Sequence, residues 1–182
     1  VVTRRQRQMC IRDSSQCGQT VGESVVLDYS KHQNKILELN VEEKYVWVQP
    51  GVVLDHLNAY LKPHGLWFPV DVSTSSRATI GGMSANNSCG SRSLYYGNMV
   101  HNVLAIEAIL DDGSIFNFDQ INKNYLATKN NQDRLYKIID KFIDVRQKVG
   151  SEIDANWPTT QRRVGGYNID LINPEGFNSV SY

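Results

Sequence analysis

Apolar and polar positions change period several times along this chain, and each change marks an element. Val25-Val26-Leu27 is a short apolar run that reads as a buried strand. Lys35-Ile36-Leu37-Glu38-Leu39-Asn40 alternates as a half-buried strand does. Tyr45-Val46-Trp47-Val48-Gln49 is rich in the aromatic and branched residues that suit a pleated surface. The polar Val41-Glu42-Glu43-Lys44 between them predicts a hairpin. Pro50-Gly51 ends it, since proline brings no N–H to a ladder. From there the period becomes helical: Leu54, Leu57, Asn58 and Leu61 share a face, predicting a helix over 52–62 that stops at Pro63-His64-Gly65.

Farther on, Val103 to Leu110 is mostly apolar on both alternating faces, the pattern of a central strand. Asp111-Asp112-Gly113 predicts a tight turn, with Ser114-Ile115-Phe116-Asn117-Phe118 returning as the partner. Leu135, Ile138, Ile139, Phe142 and Val145 recur at helical spacing, so an amphipathic helix is expected over 132–148, its stripe covering the sheet. Strands and helices in this order place the chain in the α+β class.

Between these halves lies Thr79-Ile80-Gly81-Gly82-Met83-Ser84-Ala85-Asn86-Asn87-Ser88-Cys89-Gly90. Adjacent glycines lack Cβ atoms and let the backbone approach another group closely. If a helix starts there, its first N–H groups form a site for an anion such as a dinucleotide pyrophosphate. A tight turn packed on a neighbouring segment explains the same glycines.

Composition narrows the choices. With 182 residues and 41% hydrophobic content the chain can build one or two small cores and is no disordered segment. Lys+Arg and Asp+Glu both number 19, so there is no basic excess of the kind a general nucleic-acid binder carries, and a phosphate here falls to backbone amides. No apolar run approaches the ~20 residues that span a bilayer, and no secretory signal is visible. Cys10, Cys17 and Cys89 match no zinc or iron–sulfur spacing. The odd count and missing signal favour a reducing, cytoplasmic setting. His32, His56, His64 and His101 form no metal-ligand spacing, so no metal is expected. Residues 1–14 carry four arginines without an apolar period, and Met9-Cys10-Ile11-Arg12-Asp13-Ser14 reads as non-native or disordered sequence ahead of the domain.

In order and spacing, Val48-Gln49-Pro50-Gly51, His64-Gly65-Leu66-Trp67-Phe68-Pro69-Val70-Asp71, the Thr79-to-Gly90 run, Tyr96-Gly97-Asn98 and Val103 to Gly113 resemble the FAD-binding domain of the vanillyl-alcohol oxidase/p-cresol methylhydroxylase (PCMH-type) family. The nearest likeness is to its D-2-hydroxyacid dehydrogenases, which act on D-lactate, glycolate or D-2-hydroxyglutarate. The resemblance covers roughly residues 15–182 and is specific from Pro50 to Gly113. It implies a PCMH-type fold of two α/β lobes with a boundary near 70–80, cut short at both ends. It also implies non-covalent FAD, since no histidine falls where some members attach the flavin.

The implied reaction is hydride transfer from the α-carbon of a 2-hydroxyacid to the flavin, with an electron acceptor downstream in the full-length protein. This piece alone is expected to be inactive, and no catalytic residue can be assigned. The resemblance implies a cofactor set of Thr79, Ile80, Gly81 and Gly82 at the glycine pair, Asn86, Asn87 and Gly90 along the ADP half, Pro69, Asp71 and Ser73 near the flavin ring, and Tyr96-Gly97 at a close backbone approach. Ser15, Gly18 and Gln19 stand for a glycine-rich loop that wraps the pyrophosphate in relatives and is altered here. Peripheral association with an inner membrane is compatible with this picture. Other chemistries within the same fold, a sugar oxidase or a cell-wall precursor reductase, and a non-catalytic nucleotide-binding module are the alternatives.

Overall fold

The computed structural model describes residues 28–122, 134–160, 168–172 and 176–178. The expected strand at Val25-Val26-Leu27 and the leading residues 1–14 lie outside them. The chain divides into two compact units, Val1–Asn102 and Val103–Tyr182. The amides of Leu54 and Asp55 bond to the carbonyls of Ala78 and Ser75, which ties 75–81 into the first unit.

In the first unit, strands β1 (Ile36–Asn40) and β2 (Tyr45–Val48) form the expected antiparallel hairpin. Its turn is held by Asn40, whose Oδ1 accepts the Glu43 N–H at 2.9 Å, while Lys44 takes a positive φ of 57°. The register shifts between Ile36 and Glu38. That bulge resolves a flaw in the alternation, because Ile36 and Leu39 would otherwise face opposite ways. With Leu37 displaced outward, both pack on the core of Val52, Leu57 and Leu61, joined by Val46, Val48, Leu66 and Phe68.

Helix α1 (Leu54–Leu61) is shorter than expected from the sequence, and the last turn over Lys62–His64 tightens into a 3₁₀ helix ending at Gly65, φ 69°. Three short helices follow: α2 (Ile80–Ala85), α3 (Ser93–Tyr96) and α4 (Met99–Asn102).

In the second unit, β3 (Ile106–Ile109) pairs antiparallel with β4 (Ile115–Phe118) around a turn whose Gly113 has φ 84°. Among the described residues β3 pairs with β4 alone. Leu104 and Ile109 lie exposed, and the apolar stretch buries only one side. Strand β5 (Gln120–Asn122) pairs with β6 (Gly176–Asn178). Helix α5 (Arg134–Asn156) runs well past the expected end at 148. Its apolar stripe continues to the buried Ile153, and Gly150 is held in the helix by Arg146, which donates to its carbonyl at 3.0 Å. Leu135 and Ile139 of α5 pack with Ile172, Phe116 and Phe118, so the helix covers one face of the β3–β4 hairpin as expected.

The first residue of α5 also locks that hairpin turn. Arg134 forms ion pairs with both Asp111 and Asp112. The Ser114 hydroxyl and amide, then Arg134, hold the Asp112 carboxyl far below the usual carboxylate range, and Arg134 lowers Asp111 as well. Folded-state values below the unfolded ones mean that these groups stabilise the fold above about pH 4 and cease to as pH falls through their folded values. A Ser114→Ala/Arg134→Ala variant is therefore expected to melt lower than the parent at pH 7, with the gap narrowing towards pH 2. Melting followed by circular dichroism across that range checks this, and a gap independent of pH would contradict it.

Candidate functional site

The glycine pair sits where two helices begin side by side. Helix α2 starts at Ile80, preceded by Thr79 in extended conformation, and each of its first donors already has a partner. Ile80 N–H donates to the Val52 carbonyl and Gly81 N–H to the Pro50 carbonyl, both at 2.9 Å. Gly82 N–H reaches the Thr79 hydroxyl at 3.4 Å, and Met83 N–H reaches the Thr79 carbonyl at 2.9 Å. The arrangement is reciprocal. Leu54 N–H, the first of α1, donates to the Ala78 carbonyl at 3.0 Å, and Asp55 N–H to the Ser75 carbonyl at 3.2 Å. Val53 and Thr79 form an antiparallel bridge at the centre.

This corrects the reading of the α2 amides as unpaired groups awaiting an anion. Residues 50–52 and Thr79 occupy them, as polar groups at a packed junction require. Gly81 is glycine because the chain crosses itself there: a Cβ would lie 2.5 Å from the Pro50 Cβ. Of the two explanations open for the pair, packing on a neighbouring segment accounts for Gly81.

A second crossing lies at Asp71. Its carboxylate accepts the Ser91 hydroxyl at 2.7 Å and the Arg92 N–H at 3.0 Å. Partial burial pushes this carboxyl up, but the Ser91 hydroxyl, the Arg92 amide and the Arg92 charge outweigh it and hold it below the ordinary carboxylate range. Gly90 passes so close that a Cβ would fall 1.7 Å from the Asp71 carbonyl oxygen. Its N–H donates to the Ser93 hydroxyl at 2.9 Å.

The chain then folds back on α2. Asn87 takes a positive φ of 45°, and its Oδ1 accepts the Val100 N–H at 3.1 Å. Met99 N–H donates to the Ser88 carbonyl at 3.1 Å. Gly97, φ 79°, leaves room for the His101 ring, whose Nδ1 accepts the Asn98 N–H at 3.0 Å. Asn102 bridges the Tyr96 and Asn98 carbonyls. On the outer side Trp67 meets Tyr96 edge-on at 5.1 Å, Tyr96 meets Tyr95 at 4.7 Å, and the Arg92 guanidinium lies over the indole at 5.1 Å.

Of the residues singled out from the sequence, those from Pro69 to Gly97 all belong to this one unit, whereas Ser15, Gly18 and Gln19 lie outside the described residues. Thr79 and Gly82 are buried, Ile80, Gly81, Asn87, Gly90, Gly97, Pro69 and Asp71 are half-buried, and Ser73, Asn86 and Tyr96 are exposed. Sequence reasoning missed Ser91, Arg92 and Ser93. Their only signal was a run of short donors next to Gly90. Cys89 is half-buried and makes no disulfide.

A family model described as "FAD binding domain" matches residues 12–119. Residues of this chain are 48% identical over 162 positions to the D-2-hydroxyglutarate dehydrogenase of Haemophilus influenzae, covering 85% of the chain and 16% of that protein. The enzyme of the same name from Escherichia coli K12 is 37% identical over 156 positions, covering 84% of the chain and 15% of that protein. The mitochondrial D-lactate dehydrogenase [cytochrome] of Kluyveromyces lactis is 45% identical over 94 positions, covering 52% of the chain and 16% of that protein. The chain thus spans about a sixth of the length of these relatives.

An FAD diphosphate needs several converging donors, and the start of α2 does not supply them, because its amides end on protein carbonyls and the Thr79 hydroxyl. The donors of this junction therefore do not fit the group. If the glycines serve the crossing, their cost on substitution is steric and independent of ligand. Gly90→Ala and Gly81→Ala are each expected to lower stability by about 1–3 kcal/mol. Gly65→Ala, where nothing lies within 4 Å, should cost about 1–2 kcal/mol from the positive φ alone. Urea unfolding without cofactor measures all three, and wild-type stability in Gly81→Ala would show that the crossing is not tight.

Proposed function

The chain belongs to the FAD-binding domain family, and on that footing we propose that it is the cofactor-binding part of a flavin-dependent enzyme that oxidises D-2-hydroxyacids to 2-oxoacids. The observation that carries this reading is the 48% identity to a D-2-hydroxyglutarate dehydrogenase over 85% of the chain, running through the junction of α1 and α2. Bound flavin would supply the redox chemistry. The residues here would supply shape: the α1–α2 junction, the Asp71 crossing and the fold-back through Asn87 fix the backbone from 69 to 102.

FAD is held without a covalent link, in a PCMH-type fold of two α/β lobes. Ser15, Gly18 and Gln19 contribute to gripping the diphosphate. Ser73, Asn86 and Tyr96, exposed in the first unit, touch the cofactor directly, while Pro69, Asp71, Thr79, Ile80, Gly81, Gly82, Asn87, Gly90 and Gly97 shape the wall behind them. A small 2-hydroxyacid and an electron acceptor are the partners. No described helix is long and apolar enough to cross a membrane, and we place the protein in the cytoplasm, with contact to the inner membrane at most peripheral.

The full-length protein purified from its own gene should carry a yellow chromophore released intact by acid. Anaerobic addition of D-2-hydroxyglutarate or D-lactate should bleach it within seconds, and the L-enantiomers should not. A colourless folded protein that takes up no added FAD would reject the reading, and a flavin that no D-2-hydroxyacid bleaches would reject the substrate class.

A further inference from the structure

The outer side of the Asp71 crossing carries a group that nothing above uses. Arg92 is fixed at both ends. Its backbone N–H is bound by the Asp71 carboxylate at 3.0 Å, and its guanidinium lies over the Trp67 ring, 5.1 Å from the centroid. Trp67 is in turn held edge-on against Tyr96 at 5.1 Å, and Tyr96 against Tyr95 at 4.7 Å. The patch is open to solvent: Trp67 and Tyr96 are each 42% exposed and Tyr95 84%. Among the described residues no hydrogen bond engages the Arg92 guanidinium, the Trp67 indole N–H or the Tyr95 and Tyr96 hydroxyls.

A guanidinium carries its N–H donors at the edge of its own plane, and the contact with the Trp67 ring leaves that edge without a hydrogen-bond partner among the described residues. That edge matches a planar carboxylate bidentately. Immobilising the arginine beforehand removes much of the entropy that a free side chain would lose on binding. Charge narrows the choice further. The Asp71 carboxylate, bound to the Arg92 backbone N–H and within reach of the Arg92 charge, adds a negative charge nearby that disfavours a phosphate dianion more than a monoanion held by short directional bonds.

We propose that Arg92, on its Trp67–Tyr96 platform, is a carboxylate-binding residue that anchors the acid end of an organic acid. The choice of a hydroxyacid as that ligand rests on the function proposed above; the anchor itself rests on the geometry of these side chains alone.

The test uses this chain without flavin. The chain has three tryptophans, so three indole N–H signals are expected in a nitrogen-15 correlation spectrum, and Trp67→Phe assigns the one of interest. Titration with D-lactate, and separately with acetate, should shift the Trp67 indole and the Arg92 side-chain N–H signals saturably. Inorganic phosphate and sodium chloride at equal ionic strength should not. Arg92→Gln should abolish the shift. Arg92→Lys, which keeps the charge and loses the fork, should weaken binding about tenfold. Absence of a shift with either carboxylate, an equal response to phosphate or chloride, or an unchanged response in Arg92→Gln would overturn the proposal. Flavin uptake by the full-length protein is read independently by its absorbance, so the anchor can fail while the flavoprotein reading stands, and the reverse.

Discussion

Two helices that begin next to each other supply each other's missing acceptors. The first amides of α1 end on carbonyls of 75–78, and the first amides of α2 end on carbonyls of 50–52. An isolated helix leaves several N–H groups without partners at its start, and burying one unsatisfied costs about 1–3 kcal/mol. Here Val52, Leu54, Ala78 and Met83 are all essentially inaccessible to water. Beside that packed core the donors of both helix starts are satisfied within the chain, and the crossing of 50–54 over 78–81 is the constraint from which the rest of the first unit follows. It fixes the exit from the β1–β2 hairpin, the direction of α1 and the start of the fold-back that ends at Asn102.

The same constraint reassigns the glycines. A Gly-Gly pair at a helix start invites the thought of a phosphate cradle. In this fold the close approach is made by the chain's own backbone and Pro50, and Gly90 meets Asp71 in the same way. Such tightness still bears on cofactor binding, but indirectly. A rigid wall positions whatever residues face the ligand, and the fold supports many chemistries through those residues. Membership of the FAD-binding domain family and two well-packed crossings are compatible, provided the diphosphate donors come from elsewhere.

Much of this was legible in the residues. The hairpin with its Pro50-Gly51 stop, the helix expected over 52–62 and the amphipathic α5 followed from period and punctuation, because each buries one apolar face. The bulge at Leu37 was not, since a one-residue shift between strands leaves no local mark beyond two adjacent apolar positions. Nor was the end of α5: Ile153 continues the stripe, but Gly150 reads as a stop unless one knows that Arg146 reaches its carbonyl. The neighbours of 103–110 were not legible either, because apolar residues on both faces show that burial is permitted, without saying which neighbour provides it. At the site, sequence located the segment but not the partners of its amides. Hydrogen bonds between residues some thirty positions apart have no signature in spacing.

The central claim is that the amides of Ile80 and Gly81 bond to the chain itself, with or without cofactor. Residue-resolved amide hydrogen exchange of the full-length protein, stripped of flavin and then reloaded, tests it most directly. The account predicts slow exchange at both positions in the stripped protein and little further change on adding FAD. Rapid exchange there without flavin, slowing sharply when flavin binds, would contradict it.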